Sequence, residues 1–159
     1  MINVHTDPEK AGLKKRLLDK CVQLIEARIA SAAEAIANAQ AAANAEEKSS
    51  AGDKYETSRA MSHLEKDMHS RQLAVNREEL AALLSINFSR KYSSVAAGSF
   101  VSCAHCSFFI AAGLGKMTFE GEDVYVISPV APLAKLLLKK EAGDIIKFNK
   151  TDLVINSIF

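Results

Sequence analysis

The amino-acid sequence predicts an α+β protein made of two unlike parts: an antiparallel helical hairpin, then a small antiparallel sheet carrying one helix. Three observations carry this. An apolar repeat with a 3.5-residue period runs from Leu18 to Ala43, a short break containing Gly52 interrupts the helical pattern, and the second half is rich in Val, Ile and Phe. Composition changes between the parts. Residues 8–86 hold only Pro8, Gly12 and Gly52 among long runs of Ala, Leu, Glu, Lys and Arg, whereas five of the seven glycines lie in residues 95–159. The stretch from Phe88 to Ser94 reads as a linker, so a hairpin domain is expected over 1–88 and a second domain over 95–159.

The first helix is expected from about Pro8 to Lys48. Thr6-Asp7-Pro8-Glu9 supplies a capping residue, a proline for the first turn and a glutamate placed to complete a capping box. Leu18, Val22, Ile25, Ile29, Ala32, Ile36, Ala39 and Ala43 alternate at spacings of four and three, which is the seam of a coiled coil. The seam shrinks to alanine toward residue 43, so a partner helix can approach closely there. At ~1.5 Å per residue this helix would be ~60 Å long.

Ser49-Ser50-Ala51-Gly52 breaks the pattern, and a second helix is expected from Asp53 to Ile86. Met61, Leu64, Met68, Val75 and Ala82 fall on one side of it, interrupted by Arg71, Gln72 and Glu79. So short a break between two long helices favours an antiparallel hairpin. Composition alone favours a dimerisation coiled coil.

In the second part, strands are expected at Ser99–Ala104, Ser107–Ala112, Asp123–Ile127, Asp144–Phe148 and Asp152–Ile158, each bounded by Gly, Asn or Asp. Pro132 to Lys140 reads as a short helix, with Pro132 in its first turn and Leu133, Leu136 and Leu137 toward a core. A sheet packed on one helix follows.

Bulk properties narrow the function. A formal net charge of +1 argues against broad binding to nucleic acid, which depends on neutralising many phosphates. No apolar run approaches the ~20 residues that span a bilayer, and Met1–Gly12 has no signal-peptide core. Three cysteines, an odd number, suit free thiols in a reducing compartment, so a cytoplasmic location is expected.

Cys103-Ala104-His105-Cys106 invites a zinc or redox reading. A structural zinc site needs four ligands, and Cys21, His5, His63 and His69 form no second pair. Redox pairs sit at helix starts, whereas this tetrad lies between two strand-like segments, where a hairpin turn explains it. Gly113-Leu114-Gly115-Lys116 is too short for a phosphate-binding loop.

Two further stretches carry a resemblance. In Gly52-Asp53-Lys54-Tyr55-Glu56-Thr57 a Gly-Asp pair is followed, after two intervening residues, by a glutamate, and Ser128-Pro129 leads through Val130-Ala131-Pro132-Leu133-Ala134 and Leu137 to Lys140 and Gly143-Asp144. Together with Val95-Ala96-Ala97-Gly98-Ser99-Phe100-Val101, in this order over residues 9–159, they resemble the Gre-type bacterial transcription elongation factors (the GreA/GreB family). The chain departs from that pattern at Thr57, where the family usually has Asn, and at Lys54 and Tyr55.

The resemblance implies an FKBP-like second domain and a hairpin that enters the secondary channel of RNA polymerase. It implies that Asp53 presents a carboxylate to a Mg²⁺ shared with the polymerase active site. Glu56 would help position metal or water, so that backtracked RNA is cleaved. The chain would then be no enzyme alone, would carry no cofactor of its own, would meet nascent RNA only through polymerase, and would be a monomer. Asp53 and Glu56 at i, i+3 also form a capping box, and spacing by itself favours that reading. Other readings stay open: an anti-cleavage channel binder, a peptidyl-prolyl isomerase suggested by the implied FKBP-like topology, and a plain interaction coiled coil.

Overall fold

A computed structural model describes residues 6–46 and 52–159. Two long helices, α1 (Asp7–Glu46) and α2 (Gly52–Leu84), precede six strands and a short helix: β1 (Phe100–Cys103), β2 (Ser107–Ile110), β3 (Gly115–Phe119), β4 (Glu122–Ile127), α3 (Pro132–Leu137), β5 (Ile145–Phe148) and β6 (Thr151–Ile158). The fold is α+β. Compactness divides the chain into two units, one of residues up to Val22 with Ala82–Phe159, the other of Gln23–Ala81. Composition changes at residues 88–94, so the two divisions fall at different places. Among the described residues no helix is long and apolar enough to cross a membrane.

The start of α1 is the expected capping box: the Thr6 amide donates to Glu9 Oε2 at 2.9 Å, and the Glu9 amide donates to Thr6 Oγ1 at 3.4 Å. In the unit of Gln23–Ala81 the two helices run antiparallel. Lys66 Nζ donates to Gln40 Oε1 at 2.7 Å, and farther along, Arg28, Ser31, Ala32 and Ala35 share a shallow groove with His69, Gln72 and Asn76. The α1 seam is as expected, with Ile25, Ala32, Ala39 and Ala43 buried and Ile29 and Ile36 half-buried.

The α2 seam is not the expected one. Met61, Leu64, Met68 and Val75 are 50–71% exposed, and Ala82 is exposed too. The half-buried and buried positions are instead Ser58, Ser62, Lys66, His69, Leu73 and Asn76, followed by Glu79, Leu80 and Leu83 toward the end of the helix. The reason is steric. Opposite a stripe of alanines, small side chains and a lysine that reaches out to Gln40 fit, whereas a row of Met and Leu would overfill the contact.

In the other unit the strands form one sheet in the order β3-β4-β2-β1-β6-β5. Neighbours are antiparallel except β2 and β4, which run parallel with Phe108 opposite Tyr125, so the sheet is mixed rather than wholly antiparallel as expected. Strand β3 was not expected. It is an edge strand with mostly exposed side chains, and its Gly115 start reads as loop in sequence. Both two-residue hairpins, Glu120-Gly121 and Asn149-Lys150, have positive φ at each position, the type I′ turn that matches strand twist. Helix α3 stops at Leu137, three residues short of expectation, because the chain turns extended at Leu138, with ψ 136°, and then left-handed at Lys139, with φ 67°.

Strand β2 is buried at every residue. On one face Phe108, Tyr125 and Phe148 form a three-ring cluster with centroids 5.1–5.6 Å apart, joined by Val101, Ile110, Ala134, Leu137, Ile146 and Ile155. On the other, Phe100 sits opposite Phe109 across the β1–β2 pair and 5.0 Å from the Phe159 ring. Residues 88–94 are irregular yet tied down: the Tyr92 hydroxyl donates to Ala97 O at 3.1 Å, and Val95 pairs with Lys139 and Lys140 through backbone bonds.

Gly98 has φ +86°, and a Cβ there would lie 2.6 Å from the Tyr92 hydroxyl and 3.2 Å from Ile86 Cγ2. Gly98→Ala should therefore destabilise the protein by about 1–3 kcal/mol in urea unfolding, from strain and overlap together. Adding Tyr92→Phe should recover part of the loss by removing the nearest clashing atom.

Lys14 is fully buried. Its ammonium donates to Arg90 O at 3.2 Å and lies 4.5 Å from the Tyr92 ring centroid. Burial, with repulsion from Arg90, pulls its pKa down to about 8. The unfolded chain then binds the proton more tightly than the folded one, so Lys14 destabilises the fold below about pH 8, and the penalty fades as pH rises toward the ordinary lysine value. Thermal melts of wild type and Lys14→Met should differ most in the variant's favour near neutrality and converge by about pH 10. A difference that does not change with pH would remove the buried-charge explanation.

Candidate functional site

Helix α2 begins at Gly52, so Asp53 and Glu56 share its first turn, three residues apart. Acidic residues suit this place, where free backbone N–H groups and the helix dipole favour negative charge. Glu56 is exposed, as are Lys54 and Thr57. The Asp53 side chain lies outside the described residues, as do those of Glu46 and Tyr55 and the whole of Glu47. The expected helical break is likewise outside them, except for Gly52.

The donor chemistry of this turn fits Mg²⁺ only as a shared ion. Carboxylate oxygens are the hard ligands that Mg²⁺ prefers, and the ion keeps several waters, so one or two protein carboxylates serve when another molecule supplies the rest. Among the described residues no three His, Cys, Asp or Glu side chains gather closely enough to hold a metal.

Cys103 and Cys106 flank the β1–β2 turn, as expected for a hairpin, and the Cys103 amide donates to Cys106 O at 3.0 Å. Burial and the neighbouring Cys106 push the Cys103 thiol up to about 12, and burial does the same to Cys21. Burial and then Asp123 raise Cys106. These are thiols held away from the nucleophilic thiolate form.

A second gathering of charge has no counterpart in the sequence reading. Asp7, Lys10, Lys14, Arg90 and Lys91 line a small cleft with Phe88 and Phe159. Lys91 pairs with Asp7, which lowers the Asp7 pKa, and Lys10 lies 5.6 Å over the Phe159 ring. No signal in the α1 repeat flags it: continued back from Leu18 at alternating spacings, the seam falls at Lys15, and Lys14 lies one residue off it.

Neither a protein-family model nor a curated protein matches this chain. One solved structure, described as that of the transcription factor Gfh1, is similar at 15% identity, with 92% of each chain covered and a TM-score of 0.33.

Proposed function

We propose that this chain is a Gre-type accessory factor of RNA polymerase, which inserts its hairpin into the secondary channel and stimulates cleavage of backtracked RNA. The observation that carries the reading is the pairing of Asp53 and Glu56 on the first turn of α2, within an antiparallel two-helix unit. The ordered motifs from Gly52 to Asp144 support it. In this reading Asp53 offers its carboxylate to the polymerase's catalytic centre, and Glu56 accepts a proton from, or orients, the attacking water. A Mg²⁺ shared with the polymerase, held in part by Asp53, would supply charge stabilisation to the reacting phosphate. The chain alone then hydrolyses nothing, because a shared site is incomplete without its partner.

A second reading rests on Lys54, an exposed cation between the two acids. It would oppose metal binding at the tip, and the protein would then occupy the channel and inhibit without stimulating cleavage. One experiment separates the two. In stalled, backtracked elongation complexes, wild-type protein should shorten the RNA, and Asp53→Ala should lower that rate by about tenfold or more, a loss of ~1.4 kcal/mol or more in transition-state stabilisation. Slowed elongation without shortening, unchanged in Asp53→Ala, would favour the inhibitory reading. No effect of either protein would sink both.

A further inference from the structure

Lys14 is a buried cation that no acidic side chain pairs among the described residues. Its ammonium carries three N–H donors, and the acceptor that meets them is the neutral carbonyl of Arg90, at 3.2 Å. Otherwise it faces the Tyr92 ring, whose centre is 4.5 Å away. The Arg90 guanidinium lies 5.1 Å from the centre of the same ring, so two like charges share one aromatic side chain and repel each other. A buried charge is costly unless opposite charge meets it, and conflicts of this kind concentrate at functional sites.

The surroundings are cationic as well. Lys10, Arg90 and Lys91 line the cleft with Lys14, and the one acidic residue among its lining side chains is Asp7, which Lys91 engages. Lys10, Lys14 and Arg90 are left facing the cleft with an excess of positive charge. Phe88 and Phe159 wall it, and apolar walls lower the local dielectric, which strengthens the hold on an ion placed between them. Ammonium and guanidinium groups converging from several sides suit a tetrahedral oxyanion, because the fork of Arg90 can take two oxygens while the lysines take the others. A dianion matches the excess charge better than a single carboxylate does. The cleft is small, so it takes a phosphate itself and leaves outside whatever is esterified to it.

From this geometry we propose that the cleft between the start of α1 and residues 88–91 binds a phosphate group, free or at the end of a small monoester, through Lys10, Lys14 and Arg90. Every residue of the cleft belongs to the sheet unit, and the site does not depend on the role assigned to Asp53. Binding and the charge of Lys14 are linked: an anion seated here supplies the opposite charge that the buried ammonium lacks, and so stabilises the folded chain in its protonated form.

Isothermal titration calorimetry of the full chain with inorganic phosphate, near neutral pH and at an ionic strength matched with sodium chloride, should give saturable binding. Lys14→Met and Arg90→Gln should each weaken it about tenfold or more, whereas Lys20→Gln, at an exposed position farther along α1, should not. Phosphate stabilises proteins generally by exclusion from their surfaces, so thermal melts are read as a difference: the advantage of Lys14→Met over wild type in chloride should shrink in phosphate. Competition by glycerol 1-phosphate would support the site with a monoester as its ligand, and binding of the free ion alone would support it with inorganic phosphate. No saturable binding of either, equal affinity in Lys14→Met, or stronger competition from a short RNA without a terminal phosphate would overturn the site.

Discussion

The alanine stripe of α1 governs the hairpin. With Ala32, Ala39 and Ala43 turned inward, the facing helix has room for serine, for the stem of a lysine and for a histidine, but not for a continuous row of large apolar chains. The Lys66–Gln40 hydrogen bond follows from that geometry. So does the outward turn of the most hydrophobic face of α2. The hairpin is therefore held less by burial than by shape, since each alanine removes little apolar surface compared with a leucine. Cohesion of the sheet unit is of the opposite kind, with Phe100, Phe108 and Phe109 fully buried in adjacent strands.

That contrast explains how the fold was legible in the sequence and where it was not. The capping box at Thr6 and the heptad of α1 depend on local spacing, and both appear as read. Strands β1, β2, β4, β5 and β6 declare themselves through Val, Ile and Phe between turn residues. The face of α2 that meets α1 could not be read by the same logic. Its 3.5-residue period marks two seams on opposite sides of the helix, and choosing the more apolar one selects the wrong face. Which seam is inside depends on the partner's shape, a property of the pair and not of either helix. Strand β3 escaped for a related reason: an edge strand with one paired side needs little apolar surface.

The candidate site was legible only through motif order. Asp53 and Glu56 have the spacing of a commonplace helix cap, and the first turn of α2 holds them where a cap would. Nothing in the spacing distinguishes a carboxylate that caps from one that serves a partner, because both require an acid at a helix N-terminus. Lys14 shows the converse. It lies one residue off the apolar repeat of α1, where spacing gives no reason to bury it, and the structure satisfies its ammonium with a carbonyl and an aromatic face.

A shared metal site asks for placement more than affinity. Two carboxylates on one turn cannot bind Mg²⁺ tightly by themselves, so their contribution depends on arriving at the right position in another molecule's centre. Long antiparallel helices suit such a task because each braces the other against bending. A seam of alanines makes the brace slender, which a narrow channel would require, and displaces the bulky side chains to the outer face. The feature that would let the hairpin enter a confined space is thus the same one that leaves an apolar stripe exposed when the hairpin is free.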